Sequence, residues 1–296
     1  MANNQAKDAI ILYDDRASTY DASFHDRFSS NVVQLLNLKP GDYVLDLACG
    51  TGLVTFKASN AVGPSGCVVG VDISTGMLAE AQAKLKNHVY SNVELYQHSI
   101  TELDSLEALR DRKFDAITCA SALVLLPHPG AALKQWMNYL KPGGRLITDV
   151  THPRVLLPGI VLERVGRALG LHIPWYREAF QRPEDLSKLM QEAGLVNVDV
   201  RRVSQLNSRD GSDDLLAFIA GAHQKPLTAR TYTVANAAEV FDAHLKKPYS
   251  ACMKDEPVYS QAKQLFIDEW AKLADANGVL DEVDEVFVGI GHAPGL

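Results

Sequence analysis

Short apolar segments alternate with amphipathic segments along the first 200 residues of the chain. The apolar segments predict buried strands, and the segments between them predict helices. The predicted strands cover 43–47, 67–71, 93–97, 114–119, 145–150 and 196–203, and a further strand covers 285–290. The predicted helices cover 52–61, 75–87, 102–110, 130–140, 183–194 and 258–275. This alternation indicates an α/β fold with a parallel sheet covered on both faces.

Two long segments, 151–182 and 205–283, interrupt this alternation. The first is rich in proline and aromatic residues and is too long for a simple connection, which predicts an inserted lid. The second is predicted to be mostly helical, with Phe266, Trp270 and Leu273 at helical spacing. Both segments follow the carboxyl ends of strands, which is where open α/β sheets bind ligands.

Composition and charge narrow the class of protein. The chain has 296 residues, of which 47% are hydrophobic and 22% are charged, and this profile excludes a mainly disordered protein. The net charge is −7, and the sequence shows no dense cluster of basic residues. Both observations argue against nucleic acid as the main partner.

The cysteines and the N-terminus indicate the compartment. The four cysteines form no C-x-x-C pair, which suits a reducing compartment and predicts no metal site. The polar N-terminus lacks the apolar core of a signal peptide. The longest uncharged run, 116–130, is too short to span a bilayer. We therefore expect a cytoplasmic protein without a membrane partner.

The most informative segment, 44–52, has the sequence VLDLACGTG and predicts a strand, a tight glycine turn and the start of a helix. Gly50 and Gly52 let the backbone approach a ligand closely, and the helix N-terminus offers N–H groups. A dinucleotide is one candidate ligand, but its G-x-G-x-x-G pattern would need glycine at the position of Thr55. Asp46, just beneath the loop, would also repel a pyrophosphate and attract an ammonium group. The loop therefore suits the methionine-like end of a cationic ligand.

A second acidic residue, Asp72, ends the second predicted strand, 20 positions after Gly52. A carboxylate at this place can accept hydrogen bonds from both hydroxyls of a ribose. An amino-acid end near Asp46 and a ribose at Asp72 together describe S-adenosylmethionine.

Several motifs, taken in order, resemble those of class I S-adenosylmethionine-dependent methyltransferases, most closely the small-molecule type of ubiquinone and menaquinone biosynthesis. They are the D-x-A-C-G-T-G loop, Asp72, the Phe114-Asp115 opening of the fourth strand, the turn at 140–145 and the N-terminal segment 13–21. The resemblance covers 10–150, resumes at 183–203 and closes with the last strand. It implies a Rossmann-like methyltransferase fold, which is a doubly wound sheet of seven mostly parallel strands with an antiparallel last strand and helical lid insertions.

The resemblance also divides the chain into a core, two insertions and a cover. The expected parts are N-terminal cover helices (1–40), a cofactor-binding core (41–150), a lid insertion (151–182), the continued core (183–204), a helical insertion that builds the acceptor pocket (205–283) and the last strand (284–296).

The resemblance further implies which residues bind the cofactor, grouped by the part of the cofactor that they contact. They are Tyr20, Asp46, Ala48, Gly50 and Gly52 at the methionine end, Asp72 at the ribose, Ile73, Met77, Ser99 and Ile100 at the adenine, and Ala120 near the sulfonium. Two positions depart from the family pattern, because relatives often have aspartate at the position of Ser99 and glycine at that of Ala48.

Methyl transfer needs alignment and a dry site, and it needs a base only if the acceptor must lose a proton early. His152, after the fifth strand, is the candidate catalytic base, and a turn histidine is the alternative. His25 is a candidate acceptor contact or base, and a solvated residue at a helix start is the alternative. Val124, after the fourth strand, indicates an apolar acceptor pocket. Trp175 and Tyr176 are candidates for stacking on an aromatic acceptor, with packing of the lid as the alternative.

These observations predict a methyltransferase that uses S-adenosylmethionine as cofactor and a bulky small molecule as acceptor, of the kind found in specialised metabolism. The acceptor atom (O, N, S or C), the pathway and a homodimeric state stay open. Two alternatives keep the fold: non-methylating chemistry such as cyclisation, and a regulatory protein that only binds the cofactor. A nicotinamide oxidoreductase is disfavoured by the missing third glycine.

Overall fold

The computed structural model describes residues 2–23, 25–87, 90–171, 173, 180–204 and 228–295. Its main sheet has seven strands in the order β3-β2-β1-β4-β5-β9-β6. The strands are β1 (Tyr43–Leu47), β2 (Cys67–Asp72), β3 (Val93–Gln97), β4 (Phe114–Cys119), β5 (Leu140–Thr151), β6 (Val196–Ser204) and β9 (Glu285–His292). Strands β1 to β5 pair in parallel, and β9 pairs antiparallel with both β5 and β6. The predicted doubly wound α/β fold and its antiparallel last strand are confirmed.

Helices cover both faces of this sheet. The described helices are α1 (Ala2–Arg16), α2 (His25–Leu36), α3 (Leu53–Val62), α4 (Thr75–Asn87), α5 (Pro129–Met137), α6 (Leu157–Ala168), α7 (Pro183–Glu192), α8 (Ala237–His244) and α9 (Val258–Lys272). Among these helices, none combines the length and the apolar character that crossing a bilayer requires.

The sheet buries alternate residues of each strand on opposite faces, as the two-residue period of a strand requires. On one face, Val44 packs with Val54 of α3 and Phe28 of α2. On the other face, Leu45 belongs to a core that includes Trp136 of α5 and Leu186 of α7. The strand order reverses between β1 and β4, so their carboxyl ends border the crevice where open α/β sheets bind ligands.

A third apolar core lies in the two insertions, and we call the elements around it the insertion lobe. Helix α6, from the first insertion, packs there with α8 and α9 from the second. The described part of the second insertion also holds a two-stranded antiparallel sheet of β7 (Thr228–Thr233) and β8 (Val279–Val283). The sequence predicts a mostly helical segment here and gives no sign of this sheet, because β7 buries one side chain, Tyr232, and so carries almost no apolar alternation.

Two further differences from the predictions have simple causes. The predicted helix at 102–110 is instead a pair of 3₁₀ helices, Leu103–Ser105 and Glu107–Leu109. Leucines at 103, 106 and 109 repeat every three residues, which is the period of a 3₁₀ helix and not of an α-helix. Strand β5 begins at Leu140 rather than at 145, because the glycine turn forms an irregularity within the β4–β5 pairing.

Candidate functional site

The loop after β1 is built around two glycines with positive φ, Gly50 at 56° and Gly52 at 84°. A Cβ at Gly52 would lie 2.4 Å from the ring of Phe56, so a larger residue cannot fit there without moving the ring. A Cβ at Gly50 would meet only the sulfur of Met77, at 3.9 Å. Gly50 therefore leaves open space above the loop, which a ligand can fill.

Asp72, at the end of β2, ties this loop to the start of α4. One carboxylate oxygen accepts the N–H of Gly50 at 2.7 Å, and the other accepts the N–H of Ser74 at 2.8 Å. Burial raises the pKa of Asp72, and the two N–H donors oppose that rise. The carboxylate is therefore held in one orientation and keeps lone pairs for further donors.

Asp46, at the end of β1, is buried beneath the same loop, with 1% of its surface exposed. Its carboxylate accepts a hydrogen bond of 2.5 Å from the hydroxyl of Thr55. Burial raises the pKa of Asp46 to about 7, because charge is costly in an apolar environment. Thr55 stands where the dinucleotide pattern would need glycine. Its hydroxyl donates to Asp46, whose carboxylate also disfavours a pyrophosphate.

These groups border one open cleft of about 780 Å³, which we call the main cleft. Its lining includes nine of the eleven predicted cofactor residues, namely Tyr20, Ala48, Gly50, Asp72, Ile73, Met77, Ser99, Ile100 and Ala120. Asp46 instead lines an adjoining cavity of about 380 Å³, the inner cavity, together with Tyr20, Gly50 and Ala120. Gly52 lines neither space and shapes the loop from behind.

The N-terminal segment closes over the main cleft and is tied down at two points. Ala9 and Tyr13 of α1 line the cleft. Asp14 accepts hydrogen bonds from the hydroxyl of Ser74 at 2.5 Å and from the N–H of Gly76 at 2.9 Å.

The second tie is Asp21, in the 3₁₀ helix Ala17–Ala22 that follows α1. Asp21 accepts from the hydroxyl of Thr51 at 2.5 Å and pairs with Lys84 at 2.5 Å. The segment is therefore fixed to the glycine loop itself and to α4, the two elements that Asp72 also joins.

An Asp21→Ala variant is expected to bind S-adenosylhomocysteine about threefold to tenfold more weakly, with faster dissociation, because a partly exposed ion pair and one hydrogen bond are lost. Calorimetry and stopped-flow fluorescence would measure both effects. Asp242→Ala is the matched control, since Asp242 also pairs with a lysine, Lys263 at 2.7 Å, and a hydroxyl, that of Tyr259 at 2.9 Å, within the insertion lobe. Equal effects of the two variants would contradict a specific tie over the cleft.

Tyr20 and His25 form a stacked pair at the wall of the inner cavity, with ring centroids 4.3 Å apart. The hydroxyl of Ser23 donates to the carbonyl oxygen of Tyr20 at 2.6 Å, so the bond of 2.6 Å to His25 must use a proton on Nδ1. Burial, and then the charge of Arg16, lower the pKa of His25 to about 4. His25 is therefore neutral at physiological pH.

The structure places His152 at the junction of the sheet and the insertion lobe. Its Nδ1 accepts the N–H of Arg154 at 3.0 Å, its Nε2 lies 3.9 Å from Glu285, and its ring contacts the edge of Phe287. Burial, and then Arg202 and Arg154, lower its pKa to about 4. His152 lines neither the main cleft nor the inner cavity, so its role as a base stays a prediction.

None of the other predicted acceptor contacts, Val124, Trp175 and Tyr176, is found in the lining of the main cleft among the described residues. Val124 is buried, and its neighbours Leu125 and Leu126 line the main cleft in its place. Trp175 and Tyr176 lie outside the described residues.

At this site one buried acidic residue, Asp149 near the carboxyl end of β5, was not among the predicted residues. Its carboxylate accepts the N–H of Ser121, a residue that lines both spaces, at 2.6 Å. Burial raises its pKa to about 7. The signal was available, because Asp46 and Asp72 were selected as acids at the ends of predicted parallel strands and Asp149 has the same position.

Comparison with known proteins shows which family the chain resembles. Residues 38–165 match a family model described as a methyltransferase domain. The chain is 31% identical over 225 residues to a demethylmenaquinone methyltransferase of Staphylococcus carnosus. The alignment covers 68% of this chain and 91% of the relative. It is 29% identical over 222 residues to the aklanonic acid methyltransferase DauC of a Streptomyces species, covering 69% and 97%. The crystal structure of the [4+2]-cyclase SpnF aligns with a TM-score of 0.52 at 17% identity over 92% of this chain and 81% of that one, which shows the fold alone.

Proposed function

The chain belongs to the class I S-adenosylmethionine-dependent methyltransferases, and from that premise we propose that it methylates a bulky organic small molecule. The observation that carries this proposal is the composition of the main cleft. The cleft has the carboxylate of Asp72 and the glycine loop, and Tyr13, Leu125 and Leu126 give part of its wall an apolar surface. An apolar wall beside the cofactor residues suits an organic acceptor better than a charged macromolecule.

The residues of the two spaces fit S-adenosylmethionine. Asp46, in the inner cavity, would hold the ammonium group, and Asp72 would accept the ribose hydroxyls. Met77 and Ile100 would pack against the adenine, and the space above Gly50 leaves room for the backbone approach. The cofactor supplies an activated methyl group, so the chain has only to bind, align and exclude water.

The names of the relatives support a small organic acceptor. One relative is named for demethylmenaquinone and another for aklanonic acid, both organic small molecules. We propose the same broad class for this chain, in specialised metabolism, without assigning either compound.

The direct test is incubation of the purified protein with S-adenosylmethionine that carries a labelled methyl group, in the presence of fractionated metabolite extracts. Label is expected in compounds that partition into organic solvent, and label found only in protein or RNA would overturn the proposal. A second arm replaces the donor with S-adenosylhomocysteine. Product formed in that arm would instead indicate non-methylating chemistry such as cyclisation.

The affinity for S-adenosylhomocysteine is expected to rise about tenfold between pH 6 and pH 8. A carboxylate with a pKa of about 7 is mostly neutral at pH 6, and the ligand's ammonium group binds its ionised form. Calorimetry across this range measures the change, and Asp46→Asn is expected to flatten most of it. An unchanged slope in that variant would assign the titration to Asp72 or Asp149, the other buried carboxylates near this site.

A further inference from the structure

Asp149 is a buried carboxylate to which the proposed binding scheme gives no role. Only 3% of its surface is exposed, and its carboxylate accepts a hydrogen bond from the N–H of Ser121. Within the described parts of the chain, no lysine, arginine or histidine lies at ion-pair distance from it. A buried acid without a basic partner is unusual, because the desolvation of the charge is left uncompensated.

The carboxylate lies directly behind the wall of the binding site. Ala120 and Ser121 line both the main cleft and the inner cavity. Asp149 shares a small space of about 140 Å³ with Ala120 and Thr118, on the far side of that wall. The hydrogen bond to Ser121 also fixes a residue with a φ of 58°, a conformation that a serine seldom adopts without such support.

The charge of Asp149 also reaches the opposite wall. Tyr20 lines both spaces, and burial raises its pKa well above the ordinary value; Tyr13 and Asp149 add to the rise, and the charge of Arg16 opposes it. The charge of Asp149 therefore acts within these spaces, where the charge of Arg16 opposes it at Tyr20.

We propose that Asp149 is a specificity-determining residue that favours the positively charged sulfonium donor over its neutral thioether product. The two ligands share the amino-acid end, the ribose and the adenine, and they differ only by the methyl group and the positive charge on sulfur. A carboxylate behind Ala120 attracts the positive sulfonium of the donor, and the uncharged thioether sulfur of the product lacks this attraction. After each transfer the charge is gone, so the same residue favours release of the product. The inference rests on the proposed placement of the sulfonium beside Ala120.

The test compares the dissociation constants of S-adenosylmethionine and S-adenosylhomocysteine, measured by calorimetry at pH 8, for the wild type and D149N. The amide keeps an oxygen that can accept from Ser121 and removes the charge. We expect D149N to bind S-adenosylmethionine about tenfold more weakly and S-adenosylhomocysteine within about twofold of the wild type. T118V is the matched control, because it changes an unpartnered polar group in the same small space without changing charge, and it is expected to keep the wild-type ratio.

The outcomes separate this inference from the proposed function. Equal weakening of both ligands, or no change in either, would show that Asp149 only supports the Ser121 turn. If the wild type bound neither ligand, the cofactor assignment itself would fail. Retained affinity for S-adenosylhomocysteine also reports that D149N is folded. Should D149N not fold, the pair D149E and D149Q makes the same comparison, with the wild-type preference expected only in the charged variant.

Discussion

An Asp72→Asn variant is expected to lose at least about 100-fold in affinity for S-adenosylhomocysteine. Both oxygens of Asp72 accept backbone N–H groups, from Gly50 at 2.7 Å and from Ser74 at 2.8 Å. An asparagine has only one oxygen, so its NH₂ group would face one of these donors in a buried place. The misplaced NH₂ group and the lost charge also weaken the two proposed hydrogen bonds from the ribose hydroxyls. Two charge-assisted hydrogen bonds are worth about 3 kcal/mol, and each 1.4 kcal/mol is about tenfold in affinity.

Calorimetry with S-adenosylhomocysteine measures this loss, and Asp115→Asn provides the matched control. Asp115 also accepts a backbone N–H, that of Tyr43 at 2.8 Å, and a second donor, Lys141 at 2.8 Å. It lies at the amino end of β4, where neither the main cleft nor the inner cavity reaches. The control is therefore expected to lower the melting temperature and to leave the affinity unchanged. Wild-type affinity in the Asp72 variant would contradict its place at the ribose.

The sheet could be predicted because its strands are buried on both faces. Strands 43–47, 93–97 and 114–119 begin and end where the apolar pattern predicts, and a polar residue directly precedes each of them. Residues close in sequence also determine the glycine loop, so Gly50 and Asp46 were found from the pattern alone. Asp72 followed, because the carboxyl ends of neighbouring parallel strands meet at one edge.

The cover over the cleft could not be predicted in this way. Tyr13 and Ala9 line the site only because Asp14 bonds to Ser74 and Gly76, some 60 residues away in the chain. The local pattern of apolar and polar residues does not predict a contact between segments so far apart in the chain.

The role of Asp149 could not be predicted for the same reason, because it too depends on a contact between distant segments. The sequence shows an acid near the end of a strand, but its partner Ser121 is known only once β4 and β5 are paired. His152 shows the converse case. Its position after β5 suggested the binding edge, yet the chain turns there toward the insertion lobe and brings the ring against Phe287.

A Trp270→Ala variant is expected to lower the free energy of unfolding by about 3–5 kcal/mol and to abolish most methyl transfer. Trp270 is fully buried at the centre of the insertion lobe. Its ring stacks on Phe266, contacts the edge of Tyr232, and its Nε1–H donates to the carbonyl of Thr233 at 3.1 Å. Loss of this side chain leaves a cavity where α9 meets β7, so the lobe is expected to lose its fixed shape.

The affinity of this variant for S-adenosylhomocysteine is nevertheless expected to stay within about threefold of the wild type. No described residue of α6, α8, α9, β7 or β8 lines the main cleft or the inner cavity. The damage should therefore spare the cofactor site, and the loss of turnover tests the prediction that the second insertion helps to build the acceptor pocket. Chemical denaturation measures the free energy of unfolding, and calorimetry measures the cofactor affinity. Turnover is measured with an acceptor found in the labelling experiment.

Trp136→Ala is the matched comparison, because Trp136 is equally buried and its Nε1–H donates at 2.8 Å to the carbonyl of Ile100, which lines the main cleft. This variant is expected to lose stability and cofactor affinity together. Full turnover in the Trp270 variant would show that the insertion lobe takes no part in holding the acceptor. A loss of cofactor affinity as large as that of the Trp136 variant would show that the lobe supports the whole site, because the two cores would then not act independently.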